Sequence, residues 1–254
     1  MKWLLPSAAA TILGLVVAMS PAADLKAAEL KILAGGSLIG PLNELAPQFE
    51  KVSGHQLVIH FDSTPNLIKQ ATSGAPFDAA VVPVDVFMDA TAKARFVSGP
   101  TIDIARAGYG VIVQSGAPRP DVGTPEALKK TLLDAPSIAF VPESAAGAYV
   151  LKVFDRLGIA EAMKAKTIAQ TMPAQIAPAV AKGEAALGVF LINVLIAPGV
   201  DLVGAFPAEL QQELVFSAAV AADSKEAEAA RAFIMFLTTP AATAVIKARG
   251  MNPG

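Results

Sequence analysis

The sequence predicts an α/β fold with largely parallel sheets, its chain divided between two lobes. Three observations carry that expectation. Short β-rich runs alternate with amphipathic helical patterns from about residue 30 to the C-terminus. Small or hydroxyl residues recur at the junctions where a strand pattern gives way to a helical one. With 254 residues and no fixed-period repeat or low-complexity linker, the chain is too long for one small doubly wound unit.

The elements follow in order. Strands are predicted at Leu30–Ala34, Gln56–Phe61, Ala79–Val82, Tyr109–Gln114, Ser137–Val141, Leu187–Leu191 and Leu214–Ala221, each a short apolar or alternating run. Helices are predicted at Leu38–Val52, Asn66–Thr72, Val84–Lys93, Thr124–Leu133, Ala148–Leu157, Ala174–Ala181 and Ser224–Leu237. The first has Leu38, Leu42, Leu45 and Phe49 at helical spacing. Thr124-Pro125-Glu126 pairs an N-cap residue with proline at the first helical position, and Ser224 precedes Glu226 and Glu228. Gly108 and the Val215–Ser217 run are the places where the chain is expected to cross between lobes.

The N-terminus reads as an export signal. Met1-Lys2-Trp3 is a short basic region, Leu4–Met19 is apolar, and Ser20-Pro21-Ala22 puts small residues at −3 and −1 of a cut before Ala23. The apolar stretch is short for a span of about 20 residues. Residues 1–22 are therefore assigned to a cleaved signal peptide and the mature protein to a bacterial periplasm. The absence of cysteine excludes disulfides, thiolate metal sites and a lipid-anchored N-terminus. Without its signal peptide the chain has 19 basic and 22 acidic residues. There is no basic stripe, so nucleic acid is not an expected partner.

The chemistry resides in the strand-to-helix junctions. Gly35-Gly36-Ser37 follows the first strand and opens the first helix. The first N–H groups of a helix lack intrahelical partners and carry a partial positive charge, so such a junction holds an anion without a charged side chain. The same arrangement recurs at Ser63-Thr64-Pro65, at Glu143-Ser144-Ala145-Ala146-Gly147 and at Thr171-Met172-Pro173. Taken singly, each is a capped turn; four in one exported α/β chain point to a neutral anion cage beyond the strand C-termini. Enzyme signatures are sparse. His60 alternates within an apolar strand and is expected in the core, whereas His55 is expected to be solvated. Asp62, Asp78 and Glu143 assemble no nucleophile–base–orienter set, and metal-ligand spacings are absent. No catalytic residue and no cofactor are assigned.

Four segments, Leu30–Leu42 (LKILAGGSLIGPL), Phe61–Pro83 (FDSTPNLIKQATSGAPFDAAVVP), Val141–Tyr149 (VPESAAGAY) and Gly183–Val189 (GEAALGV), resemble the periplasmic molybdate-binding components of ABC importers, which are type II periplasmic binding proteins. The Thr239-Pro240-Ala241-Ala242 segment fits as well, and the likeness runs in order through nearly the whole mature chain. The resemblance implies two α/β lobes joined by two crossing strands, residues 29–107 with 216–254 in the first and 108–215 in the second. It implies a monomer that closes on molybdate or tungstate and delivers it to an inner-membrane permease. Carried over by position, the ligand contacts fall on Ser37 and on Ser63-Thr64 in the first lobe and on the Ala146 N–H in the second. Two positions depart from the family pattern. A helix-start donor falls on Pro173, which has no N–H, and a cavity tyrosine falls on Leu191, which has no hydroxyl. Three readings thus stand side by side: an oxyanion receptor; the same fold holding a small carboxylate near Ser37 and Thr64; and an exported hydrolase or isomerase using His60, Asp62 or Glu143.

Overall fold

A computed structural model describes residues 27–254; the signal-peptide assignment falls outside them. The chain forms two mixed sheets flanked by helices. The first sheet contains β1 (Glu29–Gly35), β2 (Gln56–Asp62), β3 (Ala79–Pro83), β4 (Ile102–Ala107), β10 (Leu214–Val220) and β11 (Asn252–Pro253), in the order β11-β4-β10-β3-β1-β2. The second contains β5 (Tyr109–Gln114), β6 (Ile138–Phe140), β7 (Thr167–Ala169), β8 (Leu187–Leu191) and β9 (Val200–Ala205), in the order β7-β6-β8-β5-β9.

Register decides what meets at the strand ends. Strand β1 runs parallel to both β2 and β3, with Gly35 opposite Asp62 and Ala34 opposite Val81, so all three end on one side. In the second sheet β6 is parallel to β7 and β8. The antiparallel pairings are β10 with β3 and β4, β11 with β4, and β5 with β8 and β9. The chain passes between sheets at Gly108 and again ahead of Leu214. A side chain ties the two crossings together: Gln211 Oε1 accepts from the Tyr109 N–H at 2.8 Å, and Gln211 Nε2 donates to the Tyr109 carbonyl at 2.9 Å. The Tyr109 carbonyl also accepts from the Phe206 N–H at 2.9 Å, so the Gln211 amide adds to the strand pairing at this crossing.

The helices are α1 (Ile39–Ser53), α2 (Thr64–Thr72), α3 (Asp85–Met88), α4 (Ala90–Lys93), α5 (Pro125–Asp134), α6 (Ala145–Arg156), α7 (Ala160–Lys166), α8 (Ile176–Ala181), α9 (Ile192–Leu195), α10 (Ala227–Leu237) and α11 (Pro240–Ala248). Helix α1 buries Leu42, Leu45 and Phe49, the stripe that its spacing predicts. A continuous core runs through both lobes; a second cluster, built around Leu67, Phe77, Phe87 and Phe96, lies under α2, α3 and α4.

Several predicted elements are corrected. The expected Val84–Lys93 helix breaks at Asp89, whose backbone is extended and whose carboxylate accepts from the Thr91 and Ala92 N–H groups. A local N-cap outcompetes helix continuation there. Strands β4, β7, β9 and β11 have no counterpart among the predicted strands, because they are short or carry polar residues that mask period two. Both histidines lie opposite to expectation. His55 is buried, its Nδ1 accepting from the Ala28 N–H at 3.1 Å, and it stacks on Phe49. His60 is 59% exposed, because β2 is the edge strand and only Leu57, Ile59 and Phe61 turn toward the core.

Candidate functional site

The converging strand ends enclose a cavity of about 20 Å³ between the sheets, in contact with Ser37, Ser63, Thr64, Ala146 and Pro173. A space of that size is a little more than the roughly 10–15 Å³ that a single water needs, so it is small. Gly35 and Gly36 approach it from β1, and Gly36 faces the opposite lobe closely. A Cβ at Gly36 would fall 3.1 Å from Pro173 Cδ and 3.2 Å from Met172 Cε, so the residue must be small for the lobes to meet.

Each hydroxyl is placed by a helix start. Ser37, buried, sits in a single 3-10 turn (Gly36–Leu38) that leads from β1 into α1. Thr64, also buried, is the first residue of α2, which begins two residues earlier than predicted, with Ser63 at its N-cap and Pro65 in its first turn. Helix α6 likewise begins at Ala145 rather than Ala148, because Ser144 caps it: Ser144 Oγ accepts from the Gly147 N–H at 3.0 Å and donates to the Val141 carbonyl at 2.8 Å. A Cβ on Gly147 would fall 1.8 Å from the Val141 carbonyl oxygen, so this tight turn requires glycine.

Donor accounting identifies what remains for a ligand. In the first turn of α6 the Ala145 N–H goes to Thr64 Oγ1 at 3.2 Å, across the lobes, and the Gly147 and Ala148 N–H groups go to Ser144. Ala146 alone keeps a free N–H at the cavity. Because Thr64 Oγ1 already accepts a hydrogen bond, its own O–H is left to donate. Across the cleft the supply is poorer. The Thr171 and Met172 N–H groups both donate to Gln175 Oε1, the Gln175 N–H donates to the Met172 carbonyl, and Pro173 has none to give. Asn193 Nδ2 is engaged with the Ser37 carbonyl at 2.7 Å.

Leu191 is fully buried in β8 opposite Tyr109 and does not line the cavity; the preceding residue, Phe190, does. With Pro83, Leu214 and Phe216 it makes much of the wall apolar. No lysine or arginine lines the chamber. Its one charged residue, Asp62, is occupied: Oδ1 accepts from the Ser63 N–H and Asn66 Nδ2, and Oδ2 from Gln70 Nε2. His60 approaches Asp62 Oδ2 at 3.6 Å on the exposed side of β2, and Glu143 is exposed. Asp78 is structural, bonded to the Lys31 N–H and to Ser224 Oγ. Among the described residues no group of three His, Cys, Asp or Glu side chains could hold a metal ion.

A sequence profile of the bacterial extracellular solute-binding proteins matches residues 30–252. The chain belongs to that family. Among its relatives are an aconitate isomerase from a Pseudomonas species, 31% identical over 232 residues (88% of this chain, 87% of the relative), and the molybdate-binding protein ModA of Azotobacter vinelandii, 30% identical over 231 residues (89% and 90%). Solved structures with the same fold include the Azotobacter vinelandii periplasmic molybdate-binding protein (TM-score 0.75, 23% identity, 89% of this chain and 99% of that one). The sulfate-binding protein SubI of Mycobacterium tuberculosis superposes with a TM-score of 0.73 at 15% identity, covering 89% of this chain and 87% of that one. Within the family the chain is a ModA-like periplasmic binding protein, and its two mixed sheets are those of that fold.

Proposed function

We propose that this protein is the periplasmic receptor of an ABC importer, a monomer that captures a tetrahedral oxyanion, molybdate or tungstate first, between its lobes and presents it to an inner-membrane permease. The observation that carries this reading is a chamber of about 20 Å³ with hydroxyl and N–H donors from Ser37, Thr64 and Ala146 and no cationic side chain. An anion stripped of water is stabilised there by helix-start dipoles and neutral hydrogen bonds, while the chamber size limits what enters. No residue is assigned a catalytic role, and no cofactor is required.

A second reading is favoured by a specific feature. The second lobe offers one N–H, from Ala146, beside apolar Pro173 and Phe190, which suits a carboxylate better than a dianion that needs all its lone pairs satisfied. The relative named aconitate isomerase gives that reading, and isomerase chemistry within it, its weight.

Thermal unfolding with a panel of anions separates the readings. A ligand specific for the native state stabilises it by RT ln(1 + [L]/Kd), about 2.7 kcal/mol at a hundredfold excess over Kd. Molybdate and tungstate are expected to raise Tm, while sulfate, phosphate and cis- or trans-aconitate leave it unchanged. A shift with aconitate or a smaller carboxylate alone rejects the oxyanion. Interconversion of the aconitate isomers by the pure protein establishes the isomerase.

A further inference from the structure

Among the described residues, two hydrogen bonds join the lobes away from the crossing segments, and they differ in kind. The Ala145–Thr64 bond ends on a hydroxyl that lines the ligand chamber, whereas Asn193 reaches Ser37 from outside it. Asn193 lies in the single-turn helix α9 directly after β8, and its Nδ2 donates to the Ser37 carbonyl at 2.7 Å, bridging 156 positions of sequence. On its far side α9 presses against the first lobe again, where a Cβ on Gly250 would fall 2.7 Å from Ile196 Cδ1 and 3.6 Å from the Asn193 Cα. Asn193 Oδ1, however, is buried without a partner. Closing the lobes therefore gains one hydrogen bond for this side chain and strips water from its other polar atom.

We propose that Asn193 is the latch of the closed state and the positioning residue for Ser37. By holding the Ser37 carbonyl, it fixes the 3-10 turn that carries Ser37, a residue lining the chamber. Its orphaned carbonyl oxygen keeps the latch weak, so that closure is reversible and the bound anion supplies the balance. The inference depends on the proposed function only for the identity of the anion.

The chain has no cysteine, so spin labels at Lys51→Cys and Lys152→Cys, exposed in α1 and α6, report the distance between the lobes alone. With Asn193→Ala, the unliganded distance distribution is expected to move toward longer separations. Molybdate is expected to leave about tenfold faster, the consequence of losing one net hydrogen bond, with its association rate within about twofold of wild type. Asn193→Asp is nearly isosteric and keeps the packing against Gly250, but it places a carboxylate against the Ser37 carbonyl; it is expected to open the lobes further. Distance distributions in both variants that overlay the wild type overturn the latch. A wild-type protein that binds no molybdate rejects the oxyanion reading, while the unliganded distances still decide the role of Asn193.

Discussion

Proline at position 173 replaces a helix-start donor with a ring carbon, and that exchange bears on specificity more than any other in the cleft. Its Cδ points toward Gly36, where an N–H would otherwise face the chamber. The Thr171 and Met172 N–H groups cannot compensate, since Gln175 collects both. Pro173→Ala restores an N–H in that direction. The affinity for molybdate is expected to rise about tenfold, and that for a monocarboxylate less, as titration calorimetry can measure. Ser37 and Thr64, by contrast, are legible from sequence alone, because a hydroxyl between a strand and a helix has few roles. Phe190 was not legible: which of two successive strand residues faces a cleft depends on the partner sheet. The interchange of His55 and His60 has the same origin, since neither edge position nor a 27-residue contact to Ala28 is written into the local pattern.

At the scale of elements, the site is a set of helix starts, and each is only as good as its cap. Ser144 holds α6 from both sides, through the Gly147 N–H and the Val141 carbonyl. Ser144→Ala is expected to cost about 1–2 kcal/mol in urea unfolding and to weaken ligand binding as well, because the Ala146 N–H loses its fixed direction. A second element is braced by charge. Asp201, at the start of β9, accepts from the Gly116 N–H, Ser115 Oγ and the Arg119 guanidinium, and these bonds hold its carboxyl below the usual carboxylate range. A depressed pKa in the folded state means that this contribution is present above the unfolded value and is lost as pH falls through the folded one. The Tm difference between wild type and Asp201→Asn is therefore expected at pH 7 and should vanish well below pH 4, which scanning calorimetry across that range can follow. Helix boundaries shifted at α2 and α6 because small residues read as loop while the cap incorporates them as first-turn residues.

For the whole molecule the two crossings are what join the lobes along the chain. Gln211 joins them by binding both backbone groups of Tyr109, whose ring packs between Tyr149 and Phe206. Burial pushes the Tyr109 hydroxyl well above its ordinary range, so it stays neutral. Gln211→Ala leaves both Tyr109 groups without that partner and is expected to destabilise the fold by about 2 kcal/mol, measurable by urea titration. The alternation of strands and helices, the lack of cysteine, the balance of charge and the hydroxyls at helix starts are local or compositional properties, and the sequence by itself determined them. From them come the α/β class, the neutral character of the site and the strand-to-helix junctions around Ser37, Thr64 and Ala146, while the ligand contacts at those residues are what the resemblance to molybdate-binding components implies. Tertiary structure alone decided that these residues share one chamber, that Leu191 stands behind Phe190, that Asn193 meets Ser37, and that the second lobe is short of donors. The reason is physical: a donor counts only when its partner is known, and the two bonds that join the lobes, Ala145 to Thr64 and Asn193 to Ser37, link residues 81 and 156 positions apart.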